Sequence, residues 1–324
     1  MAEPLAFLFP GQGSQSPGMG ADLCKEYREY REVFYRASEI LGYNALALCL
    51  NGSAEELSKT EITQPLVYTA SAATLAVIGK RAPMPLFVAG HSLGEYAACL
   101  AAEIYDFETG LKIVVERARL MEKAAREQKG RMLAVLGIGA VAVERAVRSF
   151  GEGIAAVANY NSPEQVVVSV EERAVDALKA ALKETGAKRI IELPVGGAFH
   201  SPLMQAAAES FAEFLGGFEF NSPRVRVVLN ETGSPEVNPE AIKASLANQL
   251  VKSVQWERSI RRMIEGGAAA LVEVGPGRVL TKLNERMAPE VALFSTDDKE
   301  KLDKAMRFFS GAEDSRSTTG SQSR

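Results

Sequence analysis

Residues 85–105 read PLFVAGHSLGEYAACLAAEIY. PLFVAG (85–90) is a short apolar run ending in glycine and reads as a central strand. SLGEYAACLAAEIY (92–105) reads as a helix that starts at once. Strand, sharp turn and helix are the parts of an α/β domain with a parallel sheet. At the junction stands Gly90-His91-Ser92-Leu93-Gly94, a GxSxG string. Alone the string is weak; between a buried strand and a helix it reads as a nucleophile elbow. The glycines let the backbone turn without a Cβ clash, and the turn exposes Ser92 Oγ at a helix N-terminus, where amides stabilise negative charge. The plainer alternative makes Ser92 an N-cap; the strand–turn–helix context favours the elbow.

A serine hydroxyl is a poor nucleophile until a base takes its proton. The chain has only two histidines. His91 adjoins Ser92 on the elbow, and the backbone points it away from the hydroxyl. That leaves His200, in GGAFHSPLM (196–204), as the general base. No Asp or Glu between Ser92 and His200 stands out as a third member, because the acidic residues fall on helix faces or in turns. Either a carboxylate is hidden or something neutral orients His200.

A glycine-rich turn follows the first apolar run, in FLFPGQGSQSPGMG (7–20). It fits neither common phosphate-binding pattern. Ser16 stands where GxGxxG needs its third glycine, and no lysine follows until Lys25. The loop is built for close approach to something other than a nucleotide phosphate.

The 324 residues suit one large domain or two ordinary ones, and 47% of them are apolar, so the chain is globular. A net charge of −4, with Lys and Arg spread along the chain, argues against a nucleic-acid binder. No basic n-region precedes the run Leu5–Phe9, and no stretch is long enough to span a membrane. The three cysteines, Cys24, Cys49 and Cys99, show no metal-ligand spacing and fit a reducing cytoplasm; Cys99 lies in an apolar run and reads as a buried thiol.

Residues 22–41 have helical periodicity, and 66–80 read as a buried helix preceded by Thr63-Gln64-Pro65. Residues 131–195 change character: strand, helix, strand, turn, strand, helix, strand, the ferredoxin-like βαββαβ order. Strands follow at 224–230 and 270–276, with mainly helix over 239–266. The expected organisation is a discontinuous hydrolase-like parallel-sheet domain over 1–130 and 199–310, a ferredoxin-like subdomain over 131–198 and a disordered tail over 311–324.

FLFPGQGSQ, TQP, GHSLGEYAA, ERARLM (116–121), NYNSPEQVVVS, AFHSPLM, QLVKSVQW (249–256) and EVGPG, in this order, resemble the malonyl-CoA:acyl carrier protein transacylase family, including the acyltransferases of polyketide synthases. The resemblance runs from about residue 5 to 295. It implies a hydrolase-like α/β domain interrupted by a ferredoxin-like insert. It also implies that Ser92 carries the acyl group as an ester and that His200 is the base. The imidazole is then held by the Gln249 backbone carbonyl. The Gln12 and Leu93 backbone N–H groups become the oxyanion hole. Of Arg117 and Arg119, both on the helix after the elbow, the motif matches Arg117, whose guanidinium can take a malonyl carboxylate through two parallel hydrogen bonds. Gln64 supports that end of the pocket. Phe199, in the AFHS string, resembles the malonyl-selecting pattern of polyketide acyltransferases and narrows the pocket.

The implied reaction is a ping-pong transfer of malonyl from malonyl-CoA to the phosphopantetheine thiol of an acyl carrier protein. It serves fatty acid or polyketide biosynthesis and needs neither metal nor organic cofactor. The partner is expected to be acidic and the enzyme a monomer, with Lys188, Arg189, Arg258, Arg261 and Arg262 as candidate docking residues. Two rivals use the same fold. A serine esterase or thioesterase has the same Ser-His pair but no need of a buried cation at Arg117. A non-enzymatic carrier-protein-binding subunit has no need of Ser92 and His200.

Overall fold

The computed structural model describes residues 3–311. Its larger sheet has six strands in the order β10-β9-β1-β2-β7-β8. These are β1 (Leu5–Phe9), β2 (Phe87–Gly90), β7 (Arg226–Val228), β8 (Pro235–Glu236), β9 (Ala270–Glu273) and β10 (Ala292–Ser295). All pair in parallel except β8, which runs antiparallel to β7. β1, β2 and β9 are buried throughout, as strands of a parallel sheet covered on both faces should be; β1 and β2 are apolar runs, and β9 ends in the buried Glu273.

The register fixes where the functional loops go. Phe9 at the end of β1 pairs with Gly90 at the end of β2, so the glycine-rich loop and the elbow emerge side by side. β7 delivers Asn230 to the same edge, and β9 delivers Val274–Gly277. Ligand sites of open α/β sheets form outside the carboxyl ends of such strands.

The smaller sheet is antiparallel, in the order β4-β5-β3-β6. Its strands are β3 (Gly130–Leu136), β4 (Ala155–Ser162), β5 (Gln165–Glu171) and β6 (Arg189–Glu192), with helices Ala140–Ser149 and Val175–Glu184 between them. This is the ferredoxin-like arrangement. Strand alternation splits its side chains between two cores. Leu133, Val135, Val166 and Val168 pack under the two helices. Met132, Ala134, Ala158 and Val167 face the other way and join the core of the larger unit. The second face brings β3, β4 and β5 against the elbow.

Several elements differ from the sequence expectation. The stretch 22–41 is two helices, Ala21–Glu26 and Arg28–Leu41, separated by an extended Tyr27. Arg31 caps the first helix by donating to the Cys24 and Lys25 carbonyls. Tyr27 OH and the Asp22 carboxylate reach the C-terminal helix Lys299–Phe309 at Asp303 (3.1 Å) and Lys299 N (2.6 Å). The Ala-rich helix begins at Thr60, not after Pro65, and continues to Ile78; Pro65 sits inside it. The elbow helix is Gly94–Ala101, so Ser92 belongs to the turn before it. β8, β10 and the helix Lys299–Phe309 have no counterpart in the sequence reading. The tail expected over 311–324 lies, apart from Gly311, outside the described residues.

Candidate active site

Three motif glycines are fixed by contact. A Cβ on Gly90 would lie 1.9 Å from the Gly94 carbonyl carbon, and one on Gly94 would lie 1.9 Å from Phe9 O. The elbow therefore crosses itself and β1 too closely for any side chain. A Cβ on Gly11 would lie 2.4 Å from His91 O, so the glycine-rich loop rests on the elbow itself. Among the described residues only Ser92 (φ 51°), Glu103 and His200 (φ 55°) are non-glycine residues with positive φ. Two of these three carry the proposed chemistry, in a backbone region that L side chains rarely adopt.

Ser92 is held there by Asn230. The Ser92 N–H donates to Asn230 Oδ1 at 2.7 Å, and Asn230 Nδ2 donates to Gly90 O at 2.6 Å. Ser92 Oγ and His200 Nε2 are 2.7 Å apart. His200 Nδ1 is 2.7 Å from the Gln249 carbonyl oxygen. A carbonyl can only accept, so Nδ1 carries the proton and Nε2 presents a lone pair to the serine. The neutral orienter is thus a backbone carbonyl, and among the described residues no carboxylate hydrogen-bonds to His200. Burial, then the Arg117 charge, pushes His200 down to about 3, against the raising effect of the Gln249 hydrogen bond, so the imidazole is a neutral base at pH 7. His91 turns the other way. Its Nε2 lies 2.8 Å from Asn161 Oδ1 on β4, and its ring meets Trp256 edge-on at 5.4 Å.

Arg117 comes from the helix Phe107–Glu127, capped at its start by Asp106. Its buried positions include 110, 113, 114, 117, 118 and 121, the spacing of one helix face, and Arg117 falls within that stripe at 1% exposure. Arg119 points to solvent and pairs with Glu116 at 2.6 Å. Arg117 Nη1 donates to Gln64 Oε1 (2.6 Å), and Nη2 donates to Gln249 Oε1 (2.8 Å) and Ser92 Oγ (3.1 Å). The guanidinium carbon lies 5.2 Å from the Tyr96 ring centroid. Among the described residues no carboxylate pairs with it, and its Nε has no partner. Burial lowers the Arg117 pKa, as it must for a cation without a counter-ion in contact.

Ser92, His200 and Arg117 line a cavity of about 210 Å³, together with Met132, Asn161, Val167 and Leu280. That is below the ~300–1,000 Å³ that encloses drug-sized ligands, so the space fits a short acyl group. Gln12 and Leu93 line it, as does Phe199. Neither the Gln12 nor the Leu93 N–H has a backbone or side-chain acceptor among the described residues, and Gln12 Nε2 is buried without a partner. The cavity continues, through the shared residues Asn161, Gln165 and Val279, into a groove of about 1160 Å³ between the hairpin of β4 and β5 and the helix Val279–Asn284. Lys188, Arg278, Lys282 and Arg286 line this groove. Of the docking residues expected from sequence, only Lys188 is among them. Arg189 lies on β6, whereas Arg258, Arg261 and Arg262 lie on the helix Trp256–Glu265, where Arg261 and Arg262 pair with Glu257 and Glu265.

Sequence reasoning missed Asn230, Glu95, Tyr96 and the cations at 278, 282 and 286. Glu95 had a signal: an acidic residue in the first turn of an otherwise apolar helix. Asn230 had almost none, being one polar residue at the end of a strand.

Residues 6–321 match the acyl transferase domain family. The malonyl CoA-acyl carrier protein transacylase of Escherichia coli strain K12 is 42% identical over 284 residues, spanning 87% of this chain and 92% of the relative. PksC of Bacillus subtilis strain 168, a polyketide biosynthesis malonyl CoA-acyl carrier protein transacylase, is 41% identical over 286 residues, spanning 87% of this chain and 96% of its own. Among solved structures, a chain of the PlMCAT:AntF complex, a type II polyketide synthase acyl-carrier protein with its malonyl-transacylase, aligns with a TM-score of 0.91 at 38% identity over 94% of this chain and 99% of that one. FabD of Acinetobacter baumannii aligns with a TM-score of 0.91 at 36% identity over 97% of this chain and 100% of that one.

Proposed function

The chain belongs to the acyl transferase domain family, and from that premise we propose that it transfers malonyl from malonyl-CoA to the phosphopantetheine thiol of an acyl carrier protein, in fatty acid or polyketide biosynthesis. The observation that carries the choice of acyl group is the Arg117 guanidinium, buried without a carboxylate partner 3.1 Å from the Ser92 hydroxyl. A malonyl carboxylate supplies the missing counter-ion and, once paired, sets its thioester carbon beside Ser92 Oγ. Gln64 braces the guanidinium through Nη1, and Phe199 lines the cavity beside it.

Ser92 Oγ attacks the thioester carbonyl as His200 Nε2 takes its proton. The oxyanion that forms is received by the Gln12 and Leu93 N–H groups; losing one such donor typically costs about 10²–10³ in rate. The tetrahedral intermediate collapses, the C–S bond breaks, and His200 returns the proton to the departing CoA thiolate. In the second half-reaction the carrier thiol gives its proton to His200 and attacks the Ser92 ester, and the proton returns to Ser92 Oγ. Ester and thioester bonds exchange throughout, so these steps draw on no metal and no organic cofactor. The small cavity keeps water from the acyl-enzyme. The adjoining groove suits the pantetheine arm, and its four cations suit phosphate groups and an acidic carrier surface. The enzyme acts as a cytoplasmic monomer, and its three free cysteines, all buried, need no oxidising compartment.

The test is an intact mass spectrum after incubation with malonyl-CoA or acetyl-CoA. The expected result is a stable increment of one malonyl group on the wild type, none on Ser92→Ala, little from acetyl-CoA, and discharge by a holo carrier protein. Steady CoA release without an adduct makes the enzyme a hydrolase and overturns the transfer reading.

A further inference from the structure

Gln249 does two separable things. Its backbone carbonyl holds His200, and that carbonyl is fixed by the chain, since Gln249 N donates to Ser245 O at 2.8 Å at the end of the helix Pro239–Asn248. Its side-chain amide lies on Arg117. Gln249 Oε1 accepts from Arg117 Nη2 at 2.8 Å, while Nε2 donates to Ser92 O at 3.0 Å and to Glu95 Oε2. An amide oxygen accepts and an amide nitrogen donates, so this amide has one productive orientation. Only that orientation offers the guanidinium an acceptor.

Glu95 enforces it. The residue is fully buried in the first turn of the elbow helix, and each of its oxygens faces a donor. Oε1 accepts from Asn230 N at 3.0 Å, and Oε2 accepts from Gln249 Nε2. Only a carboxylate satisfies two donors this way. Above about pH 7, where its carboxyl has lost its proton, it also places a negative charge one amide away from Arg117. A carboxylate in direct contact would neutralise the guanidinium and occupy the place a substrate carboxylate needs; at one remove it leaves that place open.

Resting on the malonyl-transfer reading, we propose that Glu95 is a positioning residue for acyl-group selection: through the Gln249 amide it holds Arg117 in the orientation that binds a carboxylate-bearing acyl group. Glu95→Gln tests this because it preserves size and hydrogen-bonding capacity but not polarity. The new amide has one acceptor and one donor against two fixed donors. Asn230 N is backbone and keeps its acceptor, so the new NH₂ faces Gln249 Nε2. The Gln249 amide then turns over and presents its own NH₂ to Arg117, donor against donor.

The measurement, made at about pH 8 where Glu95 is ionised, is the ratio of Ser92 acylation rates from malonyl-CoA and acetyl-CoA, in wild type, Glu95→Gln, Arg117→Ala and the double variant. The rate of Ser92 modification by a neutral fluorophosphonate serves as a measure of the elbow itself. Loss of one charge-assisted contact predicts a fall in the malonyl-over-acetyl ratio of about tenfold to a hundredfold in Glu95→Gln. The same change on the Arg117→Ala background leaves the ratio where Arg117→Ala put it. A phosphonylation rate that falls in step with malonylation, or effects of the two changes that multiply, overturns the proposal and leaves Glu95 a prop of the elbow. If Glu95→Gln does not fold, Gln249→Leu is read in the same assay: a reduced ratio supports the relay, and an unchanged one overturns it. A wild type that takes no malonyl group sinks the transfer reading itself, whereas a wild type that is malonylated with a ratio indifferent to Glu95 sinks only this inference.

Discussion

Arg117 and Arg119 stand two positions apart on one helix, which places them about 200° apart around its axis. Arg119 accordingly reaches solvent and Glu116, while Arg117 occupies the apolar stripe and turns inward to Gln64, Gln249 and Ser92. Hydrogen bonds to charged groups contribute about 1.5–3 kcal/mol each, so a two-point carboxylate contact predicts that Arg117→Ala lowers malonyl acylation about 10²–10⁴-fold and shifts preference toward acetyl. Single-turnover mass spectrometry with both donors checks this; an unchanged malonyl rate would refute the assignment. In the sequence Arg117 stood out from Arg119 only through the family motif; the structure supplies the physical reason, with Leu111, Val114, Ala118 and Met121 as its neighbours on the buried face. The partner of His200 was named only through the family resemblance, and residue chemistry alone left it open between a hidden carboxylate and something neutral. A backbone carbonyl leaves no trace in residue identity, and Gln249 stands 49 positions from the imidazole it orients.

At the level of elements, the site exists because β1 and β2 are parallel neighbours whose last residues, Phe9 and Gly90, are in register. The loop after one strand can then lie on the turn after the other, and the contact between Gly11 and His91 O is where they meet. Gly11→Ala pushes a methyl group into that carbonyl and lifts the Gln12 amide from its station. Misplacement by about 1 Å costs on the order of 10² in rate, so acylation by malonyl-CoA should fall by about that factor. Phosphonylation of Ser92 by a neutral reagent should fall with it, because both reactions use the same oxyanion donors. A variant that malonylates at the wild-type rate would show that the loop does not serve the reaction. The elbow and the βαββαβ unit were legible because local signals define them: an apolar run ending in glycine, and alternation along β3 to β5. The break at Tyr27 was not, since it depends on Arg31 folding back over the first helix and on Asp303, 276 positions away. The short edge strands β8 and β10 carry too few residues for a period to register, and their existence follows from the neighbours they pair with.

Across the whole molecule, four buried titratable groups oppose one another in pairs. His200 is held down to about 3 from an ordinary 6.5, chiefly by burial, and burial also lowers His91. Below about pH 6.5 the unfolded chain takes up protons that the native chain refuses, so the histidines cost stability as pH falls from there toward their folded values. Glu95 and Glu273 are pushed the other way by burial, each from 4.5 up to about 7. Between those values the native chain holds protons that the unfolded chain releases, so they cost stability as pH rises from about 4.5 to about 7. The windows overlap between about 4.5 and 6.5, where the two carboxyls act against His200, and His91 acts in the same direction as His200. Below that overlap His200 acts unopposed. Near pH 4 it is joined by Asp106 and Asp303, whose carboxyls are held below 3.8 by hydrogen bonds from Thr109 and Lys299. Denaturant midpoints measured at closely spaced pH values should therefore be nearly level from about 6.5 to about 4.5 and then drop steeply. A steady decline starting at pH 6.5 would mean that the two carboxyls do not hold their protons in the native protein. In that case both are ionised throughout this range, with Glu95 a full negative charge behind Gln249 and Glu273 a full negative charge at the start of the helix that walls the groove.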